Sequence, residues 1–251
     1  MGHSIAVAGK GGTGKTSFTT LLLRYLLKHR DGAILAVDAD ANANLGDSLG
    51  LTPEYTVGMI LDDFKKDKID IPAGLSKEAY LEMKLNDALL EGTRLDLITM
   101  GHGEGPDCYC YPNTMLRKFQ DILADNYAWV VMDNEAGLEH LSRRTTQDID
   151  DLFLVSNHSV KGVRTLERIR LLVRQLRLNV GRQWVLINQV PGQVDDLVSA
   201  ELTRMGVTEY FTVPYDNAVY EADLRQTALT DLPDDAPAVV AVDAIMAKVL
   251  E

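Results

Sequence analysis

Cysteine is nearly absent, with two residues in 251. One possible pair makes no disulfide framework, so the fold must rest on a hydrophobic core. Aromatic residues are sparse at 6%, and no apolar run approaches the roughly 20 residues of a membrane helix. Lys10 interrupts the short N-terminal apolar run before a secretory signal can form. Positive charge is also in deficit: 25 Lys and Arg stand against 37 Asp and Glu, a net charge of −12. Such a chain suits neither nucleic acid, whose binding rests on neutralised phosphates, nor anionic lipid. The five histidines are scattered and form no metal store. What remains is the composition of a cytoplasmic globular protein, 46% hydrophobic and 25% charged. It is long enough for one α/β domain over residues 1–251.

The most informative stretch is GKGGTGKT, residues 9–16. An apolar run at 5–8 precedes it and a leucine-rich helical pattern follows. Strand, glycine loop and helix together form the context of a phosphate-binding P-loop. The glycines allow a tight backbone whose N–H groups turn inward, and the new helix adds its positive end. Gly11, Gly12, Thr13, Gly14, Lys15, Thr16 and Ser17 are the expected nucleotide contacts. Lys15 reaches the β- and γ-phosphates and Thr16 ligates Mg²⁺. The second lysine, Lys10, makes this the deviant Walker A sequence of a group of dimerising ATPases that the chain resembles. That resemblance implies that Lys10 crosses to the nucleotide of a facing subunit.

Downstream, residues 33–37 read as a second buried strand with Asp38 and Asp40 at its carboxyl end, where open parallel sheets bind ligands. Asp38 suits Mg²⁺ and Asp40 the attacking water. A short helix follows near 56–66, then an inserted region over 66–92, a strand at 94–101 and a helix at 114–126. Residues 129–132 are apolar and close on Asp133, a Walker B-like carboxylate that holds Mg²⁺ through its water shell. Gly137 ends a candidate switch over 133–137. Strands are expected at 151–156 and from 182 up to Asn188, which falls just past the second of them, with an amphipathic helix between them that places Val163, Leu166, Ile169 and Val173 on one face. Its arginines read as a solvated face. Asn188 is placed to pair with an adenine edge, since an amide both donates and accepts. The Asn-Lys-x-Asp set that reads guanine is missing here, which favours ATP. A seventh strand leads to Pro214, Tyr215 and Asp216, expected to cover the other face of the base, and a helix closes the chain at 236–250.

Cys108 and Cys110 flank one tyrosine. A disulfide across one residue is strained, whereas thiolates favour Zn, soft transition metals and Fe–S clusters. Two sulfurs are half of a closed four-ligand site, and a second copy of the chain supplies the other half.

AVAGKGGTGKT, AVDADANANLG, CYC and above all MDNEAGLEHLSRRT resemble the nickel-insertion ATPases of carbon monoxide dehydrogenase and acetyl-CoA synthase maturation, the CooC/AcsF type. The likeness covers nearly the whole chain. It implies a mostly parallel sheet with helices on both faces and dimerisation with nucleotide or metal. It also implies Ni²⁺ or Zn²⁺ at interfacial Cys108 and Cys110, and ATP hydrolysis coupled to nickel delivery. One departure is DADAN, where many relatives carry a proline after the second aspartate. The P-loop alone also fits a MinD/ParA-type positioning ATPase or an iron–sulfur electron carrier resembling nitrogenase iron protein.

Overall fold

The computed structural model describes residues 2–65, 71–101, 126–135 and 148–251. Apolar runs on strands flanked by helices predict a sheet buried on both faces, and the chain forms one. β1 (His3–Gly9), β2 (Ile34–Ala39), β3 (Leu89–Leu90), β4 (Leu95–Thr99), β5 (Trp129–Asn134), β6 (Asp148–Asn157), β7 (Asn179–Val190) and β8 (Phe211–Pro214) share one sheet. Their spatial order is β3-β4-β2-β5-β1-β6-β7-β8. Each pairing is parallel except that of β3 with β4.

Alternation along the strands divides the core in two. Ile5, Val7, Ile34, Ala36 and Val131 face one cluster with Phe18, Leu22 and Leu26 of α1 (Lys15–His29). Ala6, Ala8, Leu35, Val37 and Met132 face the other, with Val163, Leu166, Ile169 and Val173, as the helical spacing predicts. Burying one Leu or Phe contributes about 1.5–3 kcal/mol, so each face is anchored by several such side chains. Smaller helices follow β2: α2 (Asn44–Leu49), α3 (Val57–Lys65) and α4 (Lys77–Asp87). After β6 come α5 (Val160–Gln175), α6 (Asp196–Arg204), α7 (Asn217–Arg225) and α8 (Pro237–Val249). The arginines of α5 are partly committed: Arg164 reaches Glu201 of α6 at 3.1 Å and Arg170 the Met205 carbonyl at 3.3 Å, while Arg204 of α6 reaches both Glu201 and Glu167.

The inserted region contains α4 and β3 rather than structureless chain. The helix expected at 114–126 lies almost wholly outside the described residues. Among the described residues no helix is long and apolar enough to cross a membrane. β1 lies between β5 and β6, so the chain turns outward in both directions from it. That switch point places ligands above the carboxyl ends of β1, β2 and β5.

Candidate active site

The P-loop takes the shape its glycines permit. Gly12 and Gly14 have φ of 75° and 79°. A Cβ on Gly14 would lie 2.3 Å from Nδ2 of Asn188, so only glycine fits both the turn and the neighbour. Thr13 folds back, its hydroxyl donating to the Lys10 carbonyl at 2.7 Å. Lys15 is buried, with Nζ 3.4 Å from the same carbonyl, while Lys10 is exposed. No side chain caps the start of α1, which leaves first-turn N–H groups for an anion.

The sheet brings two of the carboxylates together. Asp38 and Asp133 are register partners on neighbouring strands, so both side chains project from the α1 face of the sheet. Asp38 therefore sits within β2 rather than beyond it. Asp133 accepts from the hydroxyls of Thr16 at 2.6 Å and Thr19 at 3.2 Å. Asp38 accepts backbone N–H groups of Asp40 at 3.1 Å and Leu45 at 2.9 Å. Burial pushes Asp38 up to about 7 against the pull of the Leu45 amide, with the Asp133 charge adding to the rise. Burial likewise raises Asp133 to about 6, opposed by Thr16 and Lys15. Two buried carboxylates that resist ionisation next to a hydroxyl and a lysine are a donor set suited to a hard cation. Among the described residues no three His, Cys, Asp or Glu converge closely enough to enclose a metal by themselves. The set therefore fits Mg²⁺ that brings its own water and phosphate ligands. Asp40 is partly exposed, and its Oδ1 accepts from N and Nδ2 of Asn42 at 2.9 and 3.0 Å.

A cleft beside the loop is lined by Ser17, Phe18, Asn188, Pro214, Tyr215 and Asp216, joining the expected base contacts to the P-loop. Asn188 lies inside β7, not past it, and its Nδ2 donates to the carbonyls of Thr13 and Gly14 at 3.0 and 3.4 Å. It thus ties β7 to the loop. Asp216 caps α7 through Ala218 N at 2.8 Å and receives Ala238 N of α8 at 2.9 Å. Its carboxylate fixes two helices that wall the cleft. Sequence reasoning missed Val219, Tyr220 and Asp223 of α7, which also line it. The capping pattern from Asp216 was the available signal. Cys108, Cys110 and Gly137 lie outside the described residues.

A glycine loop before a buried lysine, paired strand-end carboxylates and an adjoining cleft define a P-loop ATPase. The chain belongs to the CobQ/CobB/MinD/ParA nucleotide binding domain family, whose model matches residues 4–229. It is 40% identical over 248 residues to an uncharacterized ATP-binding protein of Methanocaldococcus jannaschii, covering 98% of each. It is 26% identical over 240 residues to the carbon monoxide dehydrogenase accessory protein CooC of Rhodospirillum rubrum, covering 91% of this chain and 89% of that protein. The cell division ATPase MinD of Pyrococcus furiosus superposes with a TM-score of 0.71 at 21% identity, over 100% of this chain and 99% of that one. That likeness shows the fold alone.

Proposed function

We propose that the chain is a cytoplasmic homodimeric Mg-ATPase that delivers nickel to acetyl-CoA synthase or carbon monoxide dehydrogenase. The observation that carries this reading is the Cys108-Tyr109-Cys110 pair in a chain similar along most of its length to a carbon monoxide dehydrogenase accessory protein. In this reading the P-loop amides and Lys15 bind the phosphates, and Asn188, Pro214, Tyr215 and Asp216 border the base. Thr16 holds Mg²⁺, with Asp38 and Asp133 acting through its water; the ion supplies charge neutralisation at the β- and γ-phosphates. Asp40 orients the attacking water once it leaves Asn42, and Lys10 adds positive charge from the facing subunit. Cys108 and Cys110 of two subunits hold the Ni²⁺ cargo, with Zn²⁺ as an alternative occupant. Hydrolysis releases one dimer geometry for another, which opens the sulfur site. Sizing the protein with and without ATP and Ni²⁺, while measuring bound metal by elemental analysis, tests the whole reading. A monomer that binds no nickel under any of these conditions would overturn it.

The second reading is a MinD/ParA-type positioning ATPase, supported by the match of residues 4–229 to a family that includes MinD and ParA. ATP-dependent pelleting with liposomes or DNA would support it in place of metal delivery.

A further inference from the structure

Thr99 ends β4, and its side chain is fully buried. Its hydroxyl has no hydrogen-bond partner. An orphaned buried hydroxyl is destabilising, and a valine of the same shape would avoid that cost. Packing therefore does not explain a threonine here. Its neighbour gives a reason. Thr99 is the register partner of Asp38 across the β2–β4 ladder, so the two side chains project from the same face. The next residue, Met100, donates its N–H to the Asp38 carbonyl at 2.8 Å, which ties the end of β4 to Asp38 itself.

Of the donors now on the Asp38 carboxylate, Asp40 N belongs to the loop after β2 and Leu45 N to the first turn of α2, which that loop enters. That loop also holds Asp40 on Asn42, and it passes through Ala43 at φ 55°, a left-handed conformation that is strained for a residue with a Cβ. A loop with strained backbone and self-satisfied carboxylates is poised to rearrange. Thr99 is on a strand and does not move with it. We infer that Thr99 is a positioning residue for Asp38. When the loop withdraws a donor to engage Mg-nucleotide, the Thr99 hydroxyl replaces it and keeps the Asp38 carboxylate aimed at the metal's water. This rests on Asp38 serving Mg²⁺ as proposed above.

The test compares Thr99→Val, Thr99→Ser and Asp38→Asn with the wild-type chain. Thermal unfolding of the nucleotide-free protein is measured first, then binding of a fluorescent ADP in EDTA and across a Mg²⁺ titration. Thr99→Val is expected to melt at or above the wild-type temperature and to bind nucleotide normally in EDTA. It should need about tenfold more Mg²⁺ for half-maximal tightening, the size of one hydrogen bond to a charged group. Thr99→Ser restores the wild-type Mg²⁺ requirement. A Thr99→Val protein that melts lower would show that the hydroxyl already serves the resting fold and would overturn the inference. An unchanged Mg²⁺ requirement in Thr99→Val, with a shifted one in Asp38→Asn, would overturn the role of Thr99 alone. If Asp38→Asn is also unchanged, the assignment of Asp38 to Mg²⁺ falls with it.

Discussion

Thr16 and Asp133 are joined by a 2.6 Å hydrogen bond that ties the first turn of α1 to the end of β5. These two groups come from residues 117 positions apart, and both are proposed to serve the same Mg²⁺. A hydroxyl carries one proton and two lone pairs, so the Thr16 oxygen can ligate a cation while its proton stays on Asp133. A second hydroxyl, from Thr19 at 3.2 Å, holds the same carboxylate from the next turn of α1.

The two P-loop lysines divide the work differently. Lys15 is buried beside the loop carbonyls and Lys10 is exposed. Lys15→Ala is expected to lower ATP turnover at least a hundredfold, and Lys10→Ala about tenfold, both with native circular dichroism. Phosphate-release assays at saturating Mg-ATP check this, and wild-type turnover by Lys15→Ala would end the P-loop assignment.

At the opposite end of the sheet, Asp151 of β6 gives a pH-dependent brace. Burial alone would push its carboxyl up. Hydrogen bonds from His3 at 2.7 Å, Arg182 at 2.8 Å and Trp184 at 2.6 Å together outweigh burial and hold it below the ordinary carboxylate range. A depressed folded-state pKa contributes stability above the unfolded value of about 3.9 that is lost as pH falls through the folded value. Asp151→Asn should cost about 1–3 kcal/mol at pH 7, discounted for the partly exposed His3 and Arg182. The gap from wild type should close as the pH is lowered below 4. Urea unfolding across that range measures it, and a gap independent of pH would refute the charge-based account.

What could be read in advance was what repeats or has fixed spacing. The P-loop, Asp38, Asp133 and the buried strands follow from contiguous runs whose chemistry is local. α7 has no counterpart in the sequence pattern because only Ala222 of its nine residues is buried, too few to show a helical stripe. β3 is two residues long, below any periodicity. Asn188 was found as a candidate base contact, but its grip on the Thr13 and Gly14 carbonyls depends on a tertiary approach that sequence does not encode. The idle hydroxyl of Thr99 likewise appears only once β4 is laid against β2.

The metal prediction follows from ligand counting. The wild-type chain should bind about one Ni²⁺ or Zn²⁺ per dimer, because four thiolates require two subunits. Replacing Cys108 and Cys110 by serine should remove that binding and leave nucleotide affinity in place. Elemental analysis on size-resolved fractions reads the ratio. Tight one-to-one binding to a stable monomer would dismiss a shared site.

The client is the final prediction. Both candidate enzymes carry nickel in metal clusters, so either accounts for a soft-sulfur donor, and the switch and Cys-x-Cys motifs do not separate them. The threonine of GKGGTGKT and the run SFTTLLLRYLLK are slightly more like the acetyl-CoA synthase branch, a resemblance and not a physical argument. The expected outcome is that Mg-ATP, Ni²⁺ and this protein activate nickel-free acetyl-CoA synthase. Asp40→Ala should fail in the same assay. Release by hydrolysis requires the carboxylate that Asn42 now occupies to become free to orient water. Each nickel-free client is incubated with the protein, Ni²⁺ and either ATP or a non-hydrolysable analogue, and enzyme activity is followed. Activation of carbon monoxide dehydrogenase alone would reverse the client assignment. Equal activation with the analogue would remove hydrolysis from the delivery step and leave nucleotide binding as its trigger.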